Sequence, residues 1–538
     1  MKKWTMTLCL LLSLTASMAS IHASAAGTAG TAETTATTAA TTVQATAGIK
    51  SYGPEYLIKN DGSLWIWGGT KSVPTLLPGL KDVQAAYGFG LQAGGLAVTK
   101  DNAVWRWQTN PKTLAVEVTP VQELTSLTEL STLWNRYIAI DGNGAVFSSP
   151  RVSDEDKSPR FTAVPGIDNV AAVNGYSEWD GNKSWERINF LKKDGTVWTS
   201  RDGLSTFEPI QNLTDILQLT QQYALKKDGT LWTWPIQSYD SPNSGKPFPS
   251  VLSASRMTGL TDIRSIHGNS RTMLAIDGQS RLWFWGSTVT GWSDGTNYHE
   301  QKVPVCFTGI KNVTGAYFME RSIVALTSDG NAYSASLEGD SMPAAAKFTL
   351  LASDITSIQE GERHLILQKK DGSLFGWGVN KDGQLGYGEY EFSYKIPVPV
   401  QKPIAVSLNG ERVALTNGVI TRGGENFIPL RSLFDKMGAN VSYKEDTKSV
   451  PSGKAGGTTT TVDKKVTITR AAGDKPAISI TINSVTGVTT VNNKTVTLAN
   501  PPFVVYGTIY LPLRFISEQL GATVNWMPQE EEIAITYK

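Results

Sequence analysis

The chain is poor in the residues that cross-linking and metal chemistry need. Its 538 residues include two cysteines and four histidines. Cys9 and His22 fall in the N-terminal segment discussed below, which leaves Cys306 as the lone cysteine of the remainder. One cysteine makes no internal disulfide, so the core must hold without covalent staples, and a chain of this length can bury one large enough. His267, His299 and His364 are far apart in sequence, with no His-x-His pair and no zinc-ligand spacing, so no metal or other cofactor is expected. An excess of one charge is also missing, since 49 Lys and Arg face 48 Asp and Glu. A near-neutral surface offers no electrostatic footprint for DNA, RNA or anionic lipid, and no nucleic-acid partner is expected. One apolar run stands out, at the N-terminus. It is too short to span a bilayer and no second one follows, so the mature chain should carry no membrane span.

That N-terminal run is informative. Lys2 and Lys3 precede "MTLCLLLSLTASMA", and "ASAAG" follows. A basic start, a short apolar stretch and small residues read as a secretory signal peptide over 1–25, cleaved after Ala25. Cys9 lies inside the apolar stretch without a small-residue lipobox. Cleavage removes Lys2 and Lys3 and no acid, so the formal charge goes from +1 to −1. The expected location is secreted or extracellular, with cell-wall association. Residues 26–47, nearly all Thr, Ala and Gly, have little to bury and read as a linker. A second low-complexity stretch, "SVPSGKAGGTTTTVDKK" (449–465), reads as a loop within the last domain.

Between the two lies a repeated hairpin: "KNDGSLWIW" from Lys59, "KKDGTVWTS" from Lys192, "KKDGTLWTW" from Lys226 and "KKDGSLFGW" from Lys369. Asp and Gly tolerate the positive φ of a tight turn, and β-prone residues flank them. Eight such hairpins are marked by Trp65, Trp105, Phe147, Trp198, Trp232, Trp283, Tyr333 and Phe375, at intervals of 40, 42, 51, 34, 51, 50 and 42 residues. A further short strand, such as "LKDVQAA" or "LTDIRSI", precedes each one. A unit of three to four strands at this period is one blade of a β-propeller. The recurring tryptophans are then blade packing.

The last unit carries a resemblance. "ITSIQEGERHLILQKKDGSLFGWGVNKDGQLGYG" resembles the regulator-of-chromosome-condensation repeat through Gly361, His364, Asp371, Gly372, Phe375, Trp377, Gly378, Asn380, Gly383, Gln384, Leu385 and Gly386. The other units are degenerate. The resemblance spans about 48–400 and implies a β-propeller, usually of seven blades; eight hairpins leave seven or eight open. A second internal repeat follows. "FIPLRSLFDKMGANVSY" (427–443) and "YLPLRFISEQLGATVNW" (510–526) align without a gap, 83 residues apart. Pro429 and Pro512 fit a first helical position and Gly438 and Gly521 a helix end, so each copy reads as strand, short helix, strand. This region, about 404–538, resembles the copper amine oxidase N-terminal-like or stalk domain, common in secreted and wall-associated Gram-positive proteins. Its motif arginines would be Arg431 and Arg514, both structural. The architecture expected is an all-β propeller (48–402) and a small α+β domain with an internal duplication (403–538).

The copper-oxidase name does not carry over. Clustered imidazoles are absent, and the quinone-forming tyrosine motif has only Asn297-Tyr298-His299 as an approach, without its acid. No Gly-x-Ser-x-Gly elbow or Walker loop is present, and no catalytic residue is assigned. The irregular insertions say more. Residues 174–188 carry Tyr176, Trp179 and Trp185; 286–301 carry Trp292, Tyr298 and His299; 235–250 carry Tyr239 and Phe248. Aromatics in long polar loops on a rigid scaffold suit binding, and a flat ring also packs on a sugar face. The competing reading is that these rings pin their own loops. Tyr176, Trp179, Trp185, Trp292 and Tyr298 are the candidate binding residues. The function expected is a monomeric, non-enzymatic secreted or surface binding protein whose partner is a protein or a cell-wall glycan. The alternatives are a glycosidase or lyase working in the propeller channel, and an inhibitor of a secreted enzyme, as implied by resemblance to a propeller inhibitor of β-lactamase.

Overall fold

Each hairpin unit folds into one four-stranded antiparallel sheet whose strands are consecutive in sequence. The structure is a computed structural model describing residues 48–538, apart from 91–93, 111, 152–159, 180–182, 238–248, 250, 270, 292–294, 430–432, 452–457 and 473–475. Eight sheets follow one another at 49–76, 83–125, 127–163, 170–209, 216–256, 263–306, 313–352 and 355–399, here blades 1 to 8. A separate apolar core fills every junction between successive blades. A last core joins Tyr52, Leu57, Trp65 and Trp67 of blade 1 to Ile366 and Leu374 of blade 8, so the ring closes with eight blades.

The local chemistry explains why the same words recur. Asp228 Oδ1 accepts from the Thr230 amide at 2.9 Å and from its hydroxyl at 2.6 Å, and Thr230 Oγ1 accepts from Trp232 Nε1 at 3.0 Å. Asp61, Ser63 and Trp65 repeat this arrangement. The lysine before the turn lies over the first aromatic after it, Lys226 Nζ 4.2 Å above Trp232 and Lys369 Nζ 4.5 Å above Phe375, a cation–π contact. The second aromatic, two residues on, points to the same face of its strand. Trp67, Trp107, Trp234, Trp285 and Trp377 are all buried and sit in the cores between blades.

The turn residue also ties blade to blade. The carbonyl of Gly62 accepts from Val83 N, and those of Gly144, Gly195, Gly229 and Gly330 accept from Val170, Ile216, Ile263 and Ile355, at 2.8–3.0 Å. Asn102 and Ser280 make the same bond to Ser126 and Val313. A Cβ added at Gly62 or Gly144 would come within 2.7 Å of the next blade's backbone, so close approach as well as positive φ calls for glycine there. The eighth junction differs. Among the described residues no such bond joins Gly372 to Ile49, and a Cβ at Gly372 would meet nothing within 4 Å. No strand is shared across this seam either. Tyr52 and Ser357 hydroxyls at 2.7 Å, Trp67 Nε1 to Gln384 O at 2.8 Å and His364 Nε2 to Pro54 O at 3.1 Å close it by side chains, with one backbone bond from Gly388 N to Ser72 O at 3.0 Å.

The C-terminal domain packs along the same seam. Lys59, buried in blade 1, pairs with Glu531 at 2.9 Å, and Asp61 with Arg412 at 3.2 Å. Gly418 N donates to Thr75 Oγ1 at 2.8 Å and Asn417 Nδ2 to Ser72 Oγ at 3.0 Å. Buried Lys71 reaches the carbonyls of Thr416 and Leu114, and burial lowers its pKa to about 8. On the blade 8 side Tyr390 stacks on Tyr506, with centroids 4.5 Å apart.

Within the domain, the two copies of the repeat pair with each other. Strand Glu425–Pro429 runs antiparallel to Thr508–Pro512, and the equivalent residues Ile428 and Leu511 lie directly opposite. The duplication therefore generates a local pseudo-two-fold through its own centre. Helix Leu513–Gln519 follows the second strand, with Pro512 at its N-cap, one place earlier than expected. The described part of the first copy is a 3₁₀ turn, Phe434–Met437, ended by left-handed Gly438. The stretch 449–465, expected as a loop, is mostly strand: Asn440–Pro451 pairs with Thr458–Arg470. Its run of β-branched threonines favours extended pairing over the flexibility that low complexity implied.

Lys59 and Glu531 provide a test of the seam. Glu531→Ala leaves a buried ammonium unpaired and should cost about 2–3 kcal/mol in chemical denaturation, at or below the low end for a buried pair because Glu531 is partly exposed. Lys59→Met should cost clearly less, because it removes the charge together with its need for a partner.

Candidate functional site

Antiparallel alternation divides the propeller into two faces. In a four-stranded meander the first and third turns open on one face, and the second turn and the link to the next blade open on the other. All Asp-Gly turns therefore lie on one face. The described ends of the three long insertions lie on the opposite one. Residues 174–188 extend the first hairpin of blade 4, whose strands Val170–Trp179 and Ser184–Lys192 are unusually long. Residues 235–250 and 286–301 belong to the third connections of blades 5 and 6.

The rings of the first insertion are held by a buried polar network. Glu178 and Arg187 pair at 2.9 Å with side chains 0% and 1% exposed. Trp185 Nε1 donates to the same carboxylate at 2.8 Å. Tyr176 accepts from Trp234 Nε1 of blade 5 at 2.8 Å, and burial is the main cause that raises its phenol pKa well beyond the usual range. Trp179 is partly exposed, and its amide donates to Gln237 O at 3.0 Å. Tyr298 is 46% exposed, with the Arg271 guanidinium 4.2 Å from its ring centre. Trp292, Tyr239 and Phe248 lie outside the described residues. Tyr176, Trp179 and Trp185 thus share one hairpin, and Tyr298 stands two blades away. Trp134, 49% exposed in the first turn of blade 3, is on this face too and is bonded through its amide to Glu186 at 3.0 Å. It follows its strand directly in "STLWNRY", in a turn too short to stand out as an insertion.

Polar groups line the axis. Glu129 accepts from Val173 N of the next blade at 3.2 Å, and Gln218 from Ile266 N at 2.9 Å, in the same position of their blades. Burial raises the Glu129 pKa to about 7. Glu55, in the first turn of blade 1, rises to about 8 through burial and then the charges of Glu362 and Asp382. His267 of blade 6 meets Glu360 of blade 8 at 2.8 Å and stacks on Phe318 of blade 7. Burial alone would lower the His267 pKa, but the Glu360 charge and hydrogen bond outweigh it and raise the pKa. Among the described residues no three His, Cys, Asp or Glu side chains converge as a metal site, and no helix is long and apolar enough to cross a membrane.

Two segments match known family models. Residues 371–413 match the Regulator of chromosome condensation (RCC1) repeat, and residues 452–535 match the Copper amine oxidase N-terminal domain. The last blade is thus similar to the first model and most of the C-terminal domain to the second. No curated protein matches the sequence. Among solved structures, Prp20p from Saccharomyces cerevisiae aligns at 16% identity and TM-score 0.39 over 66% of this chain and 88% of its own. Human WBSCR16 aligns at 18% identity and TM-score 0.36 over 62% and 85%.

Two outcomes follow from this geometry. Arg187→Ala strands the Glu178 carboxylate and should cost about 3–5 kcal/mol in urea unfolding, whereas Arg187→Met with Glu178→Gln should recover most of the loss. His267 should titrate above 6.5 by NMR and below it in Glu360→Gln, where burial acts unopposed. A raised folded pKa means that the stability due to the pair is complete below 6.5 and is lost as the pH rises through the folded value.

Proposed function

We propose that the chain is an exported, non-enzymatic binding protein. Its propeller presents the long-loop face to a protein or a cell-wall glycan, and its C-terminal domain serves as a spacer or envelope-associated module. The carrying observation is that strand alternation places every long insertion on the face that also exposes Trp134 and Tyr298. Exposed aromatics on a rigid frame are suited to contact energy. A propeller of this repeat type joined to a stalk-like domain fits a binding or scaffold role. The signal-like N-terminus supports export, and the absence of a catalytic motif from the sequence supports a non-enzymatic role.

One observation favours a second reading. Glu55, Glu362 and Asp382 lie in turns that open on the same face, and a carboxyl raised to about 8 is protonated at neutral pH. It would suit a general acid for glycoside cleavage.

The test is co-sedimentation of the full chain with isolated Gram-positive cell walls. The wild type should pellet, and Trp134→Ala with Trp179→Ala and Tyr298→Ala should weaken binding about tenfold or more. Failure of the wild type to pellet would move the partner to a soluble protein. Polysaccharide turnover that is abolished by Glu55→Gln would replace binding with catalysis.

A further inference from the structure

The seam opens into a cleft on the side opposite the long loops. It lies between the Asp371-Gly372 turn of blade 8, the start of blade 1 at Gly48 and Ile49, and the C-terminal domain, and encloses about 1180 Å³. Its origin is the defect described above. At the other seven junctions a turn carbonyl is bonded to the next blade, and here that bond is missing and the two edges stand apart.

The walls have two kinds of surface. Phe375 of blade 8 and Phe515 and Trp526 of the C-terminal domain supply aromatic rings, and Trp526 is 43% exposed. Around them stand hydrogen-bonding side chains. Arg514 spends one nitrogen on Val524 O at 3.1 Å and Glu518 at 3.5 Å, and Asn426 accepts from Thr421 at 2.8 Å. The lining carboxylates Asp371, Glu425, Glu518 and Glu531 outnumber the lining cations Lys402 and Arg514. Glu531 is neutralised by Lys59, Glu518 is paired with Arg514, and the Lys369 ammonium over Phe375 offsets Asp371, which leaves Glu425 against Lys402.

We propose that this cleft binds an oligosaccharide of neutral or amino sugars. The volume exceeds the roughly 300–1,000 Å³ usual for a single small molecule, so an oligomer suits it better. A pyranose ring offers a C–H face that packs on an aromatic ring and a belt of hydroxyls that needs both donors and acceptors. Phe375, Phe515 and Trp526 meet the first need, and Arg514, Asn426 and Glu425 the second. The near-neutral lining offers no footprint for a polyion, and Glu425 can still accept from the ammonium of an amino sugar. The site rests on residues separate from those of the long-loop face, so each can fail without the other.

The experiment is isothermal titration calorimetry of the full chain with soluble hexasaccharides of glucose, N-acetylglucosamine and glucosamine. At least one should bind, Trp526→Ala should weaken it about tenfold or more, and Trp526→Phe should restore most of the affinity. Leu350→Ala, exposed on blade 7 and away from the cleft, should leave it unchanged. Circular dichroism melting of each variant separates lost binding from lost fold. No heat with any of the three, or equal binding by a folded Trp526→Ala variant, overturns the proposal. Binding of oligolysine while the sugars are inert also overturns it and reassigns the cleft to basic peptides.

Discussion

Ring closure is the constraint on which this molecule depends. Seven junctions between blades are made three times over, by the covalent link, by a turn carbonyl bonded to the next strand and by a shared apolar core. The eighth has the core, a few side-chain bonds and one backbone bond, from Gly388 N to Ser72 O at 3.0 Å. In a repeat array, stability is a sum of unit and interface terms, and opening starts where the interface is weakest. The C-terminal domain lies across that point. It contributes Ala405 to the closing core, Glu531 to Lys59 and Asn417 and Gly418 to blade 1. It thereby supplies from outside the ring the tertiary contacts that the missing link would otherwise have made unnecessary, and so acts as a clamp on the ring as well as an appended module.

The blades could be read from sequence because their determinants are local. Asp, Gly, a hydroxyl residue and an aromatic within seven positions fix the turn, its side-chain cap and the ring that enters the core. Degenerate units without the hydroxyl residue still fold the same way. Phe147 and Tyr333, with no tryptophan after them, still pair within full four-stranded sheets. Eight hairpins left seven or eight blades open in the sequence, and the core that joins blade 8 to blade 1 decides for eight. The duplication of the C-terminal domain was equally plain, but its consequence was not. That Ile428 would face Leu511 is a property of how two copies meet, which no single copy encodes.

What sequence could not show is pairing over distance. The aromatic loop 174–188 was visible, whereas the partners that fix it were not. Tyr176 is held by Trp234, 58 residues on, and Glu186 anchors Trp134, 52 residues back. Glu178 and Arg187 look like two more surface charges until the hairpin folds them inward. Two of the chosen rings, Tyr176 and Trp185, spend their polar atoms inside this network, while exposed Trp134 sits in a turn too short to attract notice. The seam cleft was invisible for a stronger reason, since its walls come from the start of blade 1, the end of blade 8 and the C-terminal domain, which only the closed ring brings together.

The axis adds a pH dependence that follows from burying titratable groups of both kinds. His364, at the seam, is buried and bonded to Pro54 O, and burial lowers its pKa from 6.5 to about 4. The unfolded chain therefore binds a proton there that the folded one refuses, so acidification from 6.5 towards 4 works against the fold. Glu129 and Glu55 act in the opposite sense. Burial raises them from 4.5 to about 7 and about 8, so their folded forms keep protons that the unfolded chain releases. Their contribution is complete below 4.5 and declines as the pH rises through those values. His364 thus penalises the acid side and the two glutamates penalise the alkaline side. Since His364 helps to close the seam and Glu55 lies in the neighbouring turn of blade 1, both penalties fall on the junction that lacks, among the described residues, the turn-to-strand bond of the other seven.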